Sequence, residues 1–181
     1  PERERQWAAA IKSAAEHHGL APGRSKQLWI AMAQGESTAL QFGDLKLVKT
    51  NRAELRPSNE VFDIPADAER PFGWLNDELS DIEKCERYLG VEREWIYGNE
   101  VRITSPARTV CDLLRFSTTN FGIVKKLEVQ VIGEDYAMAV VRNFAASHDI
   151  KEALELADRL NYGPEVSDLL MAAARAPAPG R

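Results

Sequence analysis

The chain has 181 residues, 44% hydrophobic and 28% charged, enough to bury one continuous core and to cover it with solvated side chains. A net charge of −5 and an isoelectric point near 5.3 argue against a self-sufficient nucleic-acid binder, which presents a basic face, and suit a partner-binding module. No apolar run reaches the roughly twenty residues of a membrane span, and Cys85 and Cys111 belong to no ligand-spaced group, so a reduced cytoplasmic protein without membrane contact is expected.

From Glu4 to His18, residues Trp7, Ala8, Ile11, Ala14 and Ala15 recur at helical spacing and Gly19 supplies a stop, which predicts an amphipathic helix. Pro22, Gly23 and Ser25 mark a loop. Leu28 to Ala33 and Leu40 to Thr50 read as strands, with Gln34 to Thr38 turning the first pair and Gly43-Asp44 the second, so the sheet is expected to be antiparallel. Pro57, Pro65, Pro71 and Gly73 interrupt the stretch from Asn51 to Gly90, which reads as an insertion or lid carrying a short exposed helix over Asn76 to Glu86. Val91 to Ile96 and Glu100 to Thr104 return to strand character about a Tyr97-Gly98-Asn99 turn, with Val101 and Ile103 on one face and Arg102 and Thr104 on the other.

Beyond this strand the pattern is helical. Ser105 can cap the first amides, Pro106 suits the first helical position, and Ala107, Val110, Cys111 and Leu114 form a buried stripe. Arg108 and Asp112 are four apart, which places them on one face as a structural ion pair. Phe121 to Ile132 fits strand and helix equally, and Gly133 ends it. Glu134 to Ser147 puts Ala137, Val140, Val141 and Phe144 inward, and Ile150 to Leu160 does the same with Ala153, Leu154, Ala157 and Leu160. Pro164 opens a last helix with Val166, Leu169, Leu170 and Ala173 inward, ahead of a disordered tail over 176–181. The expected fold is α+β: an N-terminal helix and antiparallel sheet over 1–104 with an insertion at about 51–90, and a helical section over 105–175 packed on it as one compact unit.

The strand ending at Thr104 and the helix opening SPARTVCDLLRF resemble the AbiEi family of antitoxins, which are encoded beside nucleotidyltransferase-like toxins. In that family a turn of the form T/S-x-P-x-R-T opens a helix with an Asp three residues after the Thr, and Thr104, Pro106, Arg108, Thr109 and Asp112 occupy those positions. KQLWIAMA from Lys26, LQFGDLKLVKT from Leu40 and His17-His18-Gly19-Leu20 match the family more loosely. The resemblance implies an antitoxin or antitoxin-like regulatory module that counteracts its cognate toxin directly or indirectly and, joined to a winged helix, autoregulates its operon. DNA contact would then run only through such an N-terminal domain, and the expectation is that this chain is the other part of a longer protein. Arg102, Arg115, Lys125 and Lys126 are the candidate partner or nucleic-acid contacts, set against their ordinary reading as solvated or ion-paired side chains. The surface expected to meet the partner is either the sheet face bearing Arg102 or the helices from Glu134 to Ala174.

Turnover chemistry finds little footing. A nucleotidyltransferase needs a Gly-Ser turn for triphosphate and paired carboxylates for two metal ions, yet Gly43-Asp44 is followed by Lys46 where the second carboxylate would stand. Neither a P-loop nor a G-x-G-x-x-G occurs. His17 and His18, adjacent on a helix, would point about 100° apart, and the sequence offers no third ligand at metal spacing. Ser105 is explained as a cap, and Ser117 lies in no nucleophile elbow. The expectation is therefore a non-enzyme with no cofactor and no metal. A second functional class, a stand-alone interaction or scaffold domain with a different partner, is separated from the first by whether a nucleotidyltransferase-like gene adjoins this one.

Overall fold

The computed structural model describes residues 7–24, 28–33, 45–50, 86–96, 98–117 and 132–175, and the fold is α+β. Its sheet contains β1 (Trp7–Ala9), β2 (Leu28–Ala33), β3 (Leu45–Thr50), β4 (Val91–Ile96) and β5 (Asn99–Thr104), in the spatial order β3-β2-β1-β5-β4. The described helices are α1 (Lys12–His17), α2 (Pro106–Ser117), α3 (Glu134–Ser147), α4 (Ile150–Arg159) and α5 (Pro164–Arg175).

The long helix expected from Glu4 is replaced by a strand, a turn and two helical turns. Trp7 to Ala9 lie in the middle of the sheet, antiparallel to β2 through Trp7↔Met32 and parallel to β5 through Ala9↔Ile103. Alanine favours helix in isolation, but pairing here satisfies backbone groups on the inner edges of β2 and β5, and that tertiary gain outweighs a propensity of a few tenths of a kcal/mol. The chain leaves β1 through Ile11, whose φ of 56° is unusual for a β-branched residue and is held by complete burial of its side chain. The predicted stop at Gly19 forms: Gly19 takes φ +69°, its N–H reaches the Glu16 carbonyl at 3.1 Å, and the Leu20 N–H reaches Ala15 at 2.8 Å.

The sheet is mixed, not antiparallel as expected. β3 runs parallel to β2 in register from Leu28↔Leu45 to Ala33↔Thr50, so the two strands do not form the expected hairpin. Alternation of side chains sets which face is buried but carries no information about strand direction, and the turns assigned to Gln34–Thr38 and Gly43-Asp44 lie outside the described residues. The expected β4–β5 hairpin forms, but Asn99, assigned to its turn, pairs with Ile96 as the first residue of β5, and Gly98 adopts φ +77°. Most of the expected insertion, the helix from Asn76 up to residue 85, the ambiguous run from Phe121 and the tail also fall outside the described residues, although Ile132 is buried and Glu86, at the end of the helix expected to be exposed, is helical and buried.

α2 occupies the centre of the helical layer. Its sequence suggests one apolar stripe, yet Arg108, Thr109, Asp112 and Leu113 are buried alongside Ala107, Val110, Cys111 and Leu114, because α1, α3, α4 and α5 all pack against it. The stripes of α3 (Ala137, Val140, Val141, Phe144) and α5 (Val166, Leu170, Ala173) point inward as expected, while on α4 Leu156 is buried and Leu154 only partly so. Among the described residues no helix is long and apolar enough to cross a membrane.

Candidate functional site

Two polar constellations stand out, one wholly buried and one open to solvent. The buried one is built from the Thr104-to-Asp112 segment. The Ser105 Oγ accepts the Arg108 N–H at 3.2 Å, which caps α2 as expected and fixes the direction in which Arg108 leaves the helix. The Arg108 Nε then donates to both Asp112 carboxylate oxygens, at 2.9 and 3.0 Å, and its Nη1 donates to the Leu89 carbonyl at 2.9 Å. The Tyr162 hydroxyl donates to Asp112 Oδ1 at 2.6 Å. Thr104 and Thr109 share a hydroxyl hydrogen bond of 2.8 Å, and Thr109 Oγ1 lies 3.3 Å from the Thr104 carbonyl. Arg108 and Asp112 are 1% and 3% exposed, so their polar atoms face protein and not a bound substrate. The pair predicted from i,i+4 spacing is present, and of the family-pattern residues only Pro106 is partly exposed.

Tyr162 and Leu89 were not singled out in the sequence, and the local geometry that delivers each is simple. α4 ends with Asn161 at φ 53°, its N–H on the Asp158 carbonyl and the Tyr162 N–H on Ala157, a left-handed stop that turns Tyr162 back under α2. The readable signal was Asn161-Tyr162-Gly163-Pro164, a helix stop followed by a helix start. Leu89 precedes Gly90, where a Cβ would come within 2.8 Å of both Arg108 Cβ and Leu156 Cδ2, so glycine lets the start of β4 approach α2 and α4.

Of the residues read as candidate contacts, Arg102 lies half-buried with its Nε 3.0 Å from Glu86, and Arg93 also bonds Glu86, Nε to Oε2 at 2.7 Å. Arg115 stacks over Tyr162 with its guanidinium carbon 4.4 Å from the ring centroid. These arginines serve the fold; Lys125 and Lys126 lie outside the described residues. Strand register places Arg93, Trp95, Glu100 and Arg102 on one face of the hairpin, and Trp95 at its end is 76% exposed. Cys111 is buried, its Sγ donating to the Ala153 carbonyl at 3.2 Å, and burial pushes its thiol far above the ordinary range, so it is an inert core residue.

The second constellation brings His17, at the end of α1, and His18, its C-cap, to Glu94 on β4; ligand atoms of all three lie within 4.8 Å of one another. This differs from the expectation that the two histidines diverge without a third ligand. The helix stops at His17, so the geometry of a continuing helix no longer applies, and the rings meet edge-on with centroids 5.2 Å apart. The His17 Nε2–H donates to Glu94 Oε2 at 2.5 Å, and the His18 Nε2–H donates to the Thr104 carbonyl at 2.7 Å. Burial lowers the pKa of His18, against the opposing pull of the Thr104 bond. Glu94 also borders a cleft of about 250 Å³ lined by Arg87, Glu92, Arg93, Glu152 and Arg159.

No protein-family model matches this chain, and no curated protein is significantly similar to it. The class is therefore defined by fold and site alone: an α+β protein whose most specific sequence segment is used to lock a hairpin onto a helical core.

Proposed function

We propose that the chain is the partner-binding part of an antitoxin-type regulator, directed at a nucleotidyltransferase-like toxin, and that it acts by contact and not by bond-making. The observation that carries this reading is the Arg108–Asp112–Tyr162 network: the residues that follow the AbiEi pattern are committed to internal hydrogen bonds, as a rigid recognition scaffold requires. The face of the β4–β5 hairpin bearing Arg93, Trp95 and Arg102 is the proposed contact surface. An exposed tryptophan bordered by arginines that are already held in place presents rigid apolar area at small entropic cost, the composition found at binding hot spots.

Co-expression with a candidate nucleotidyltransferase-like toxin tests this. Growth rescue and a complex that co-elutes on size exclusion are expected. Trp95→Ser is expected to weaken the complex at least about tenfold while leaving the fold intact. Absence of both rescue and complex would remove the reading.

A further inference from the structure

We propose that His17, His18 and Glu94 form a binding site for a divalent transition-metal ion of the zinc type, clamping the end of α1 to strand β4. The site is independent of the partner proposed above, because the hairpin face bearing Trp95 is opposite to that bearing Glu94.

Three features point to an ion. The donor set is two imidazoles and one carboxylate, which suits zinc and neighbouring divalent metals and not magnesium or calcium, whose sites are built from oxygen. The ligand atoms are also close together: two ligands of a tetrahedral ion lie roughly 3.3 Å apart for bonds of about 2.0–2.1 Å, and His17 Nε2 would open from its 2.5 Å contact with Glu94 to admit one. The fold gathers these ligand atoms within 4.8 Å of one another, with His17 and Glu94 77 residues apart in sequence. Finally, a carbonyl can only accept, so the His18 Nε2 must carry the hydrogen given to Thr104, and in the neutral ring the lone pair is then on Nδ1. A carbonyl that fixes the tautomer and orientation of a histidine is the usual outer support of a metal ligand, and here that carbonyl belongs to a residue anchored through Thr109.

His17 and Glu94 have side chains 34% and 35% exposed, so the ion enters from solvent and a water completes its coordination. Ligation by His17 Nε2 uses that atom's lone pair, so the neutral ring takes its other tautomer, with the hydrogen on Nδ1, and the Glu94 oxygen that now accepts from it becomes a ligand.

The test is calorimetric titration of the untagged full chain with Zn²⁺, with Mg²⁺ as the comparison and Co²⁺ absorption as the geometric readout. One equivalent of Zn²⁺ is expected to bind, Mg²⁺ is not, and Co²⁺ is expected to give the visible bands of a four-coordinate N/O site. Saturating Zn²⁺ should raise Tm by on the order of 5 °C. His17→Ala and Glu94→Gln, both at partly exposed positions, should each weaken binding at least tenfold with circular dichroism unchanged. Zn²⁺ affinity left intact by both variants, a loss equally large in His148→Ala, or no binding at all would overturn the proposal.

Discussion

At Asp112 two donors converge on one buried carboxylate: the single Arg108 Nε–H, shared between both oxygens, and the Tyr162 hydroxyl. Removing one partner of such a buried pair leaves the other charge uncompensated, so Asp112→Asn is expected to cost about 3–5 kcal/mol, whereas Tyr162→Phe removes one hydrogen bond to a charged group and should cost about 1.5–3 kcal/mol. Urea unfolding of both variants checks the order; equal losses, or less than about 1 kcal/mol for Asp112→Asn, would show that the pair contributes nothing special. The Arg108–Asp112 partnership was legible because i,i+4 spacing on a capped helix leaves few alternatives. Its other partners were not, since Leu89 and Tyr162 lie 19 and 50 positions away and reach it only through the tertiary fold.

Strand β4 illustrates what an element imposes on its residues. Period-two alternation sets Glu92 and Glu94 side by side on one face of the hairpin, where both border the same cleft. Burial, then the neighbouring Glu94 charge, pushes the Glu92 carboxyl above its ordinary value of 4.5. A carboxyl raised in the folded state favours folding most where it is protonated in both states, and that advantage is lost as pH rises through 4.5 toward the folded value. Glu92→Gln should therefore be more stable than the parent at pH 7, with the difference disappearing as pH falls below 4.5; a gain that persists unchanged at acid pH would contradict this cause. The hairpin and the helices α3, α4 and α5 were readable because capping, stops and periodicity agree there. β1 was not, because Ala8, Ala9 and Ala10 fit a helix on local grounds and their pairing with residues near positions 31 and 103 has no local signature.

For the molecule as a whole, α2 is the hub, buried around its circumference and in contact with the other four described helices. Amides from Val110 to Leu114 are expected to exchange with deuterium only through global unfolding, while those near the end of α5 exchange through local fraying. Native-state exchange read by mass spectrometry would decide it, and protection in α2 no greater than in α5 would count against this organisation.

The position of β1 has a consequence for synthesis. Residues 7–9 leave the ribosome before Ile103, with which Ala9 pairs and which is made 94 positions later, an interval of roughly 5–20 s at ordinary elongation rates. Throughout that time the future middle of the sheet has one flank without its neighbour. The nascent chain thus exposes a sticky backbone edge early and hides it late, and a holding chaperone would meet it there, before any partner could.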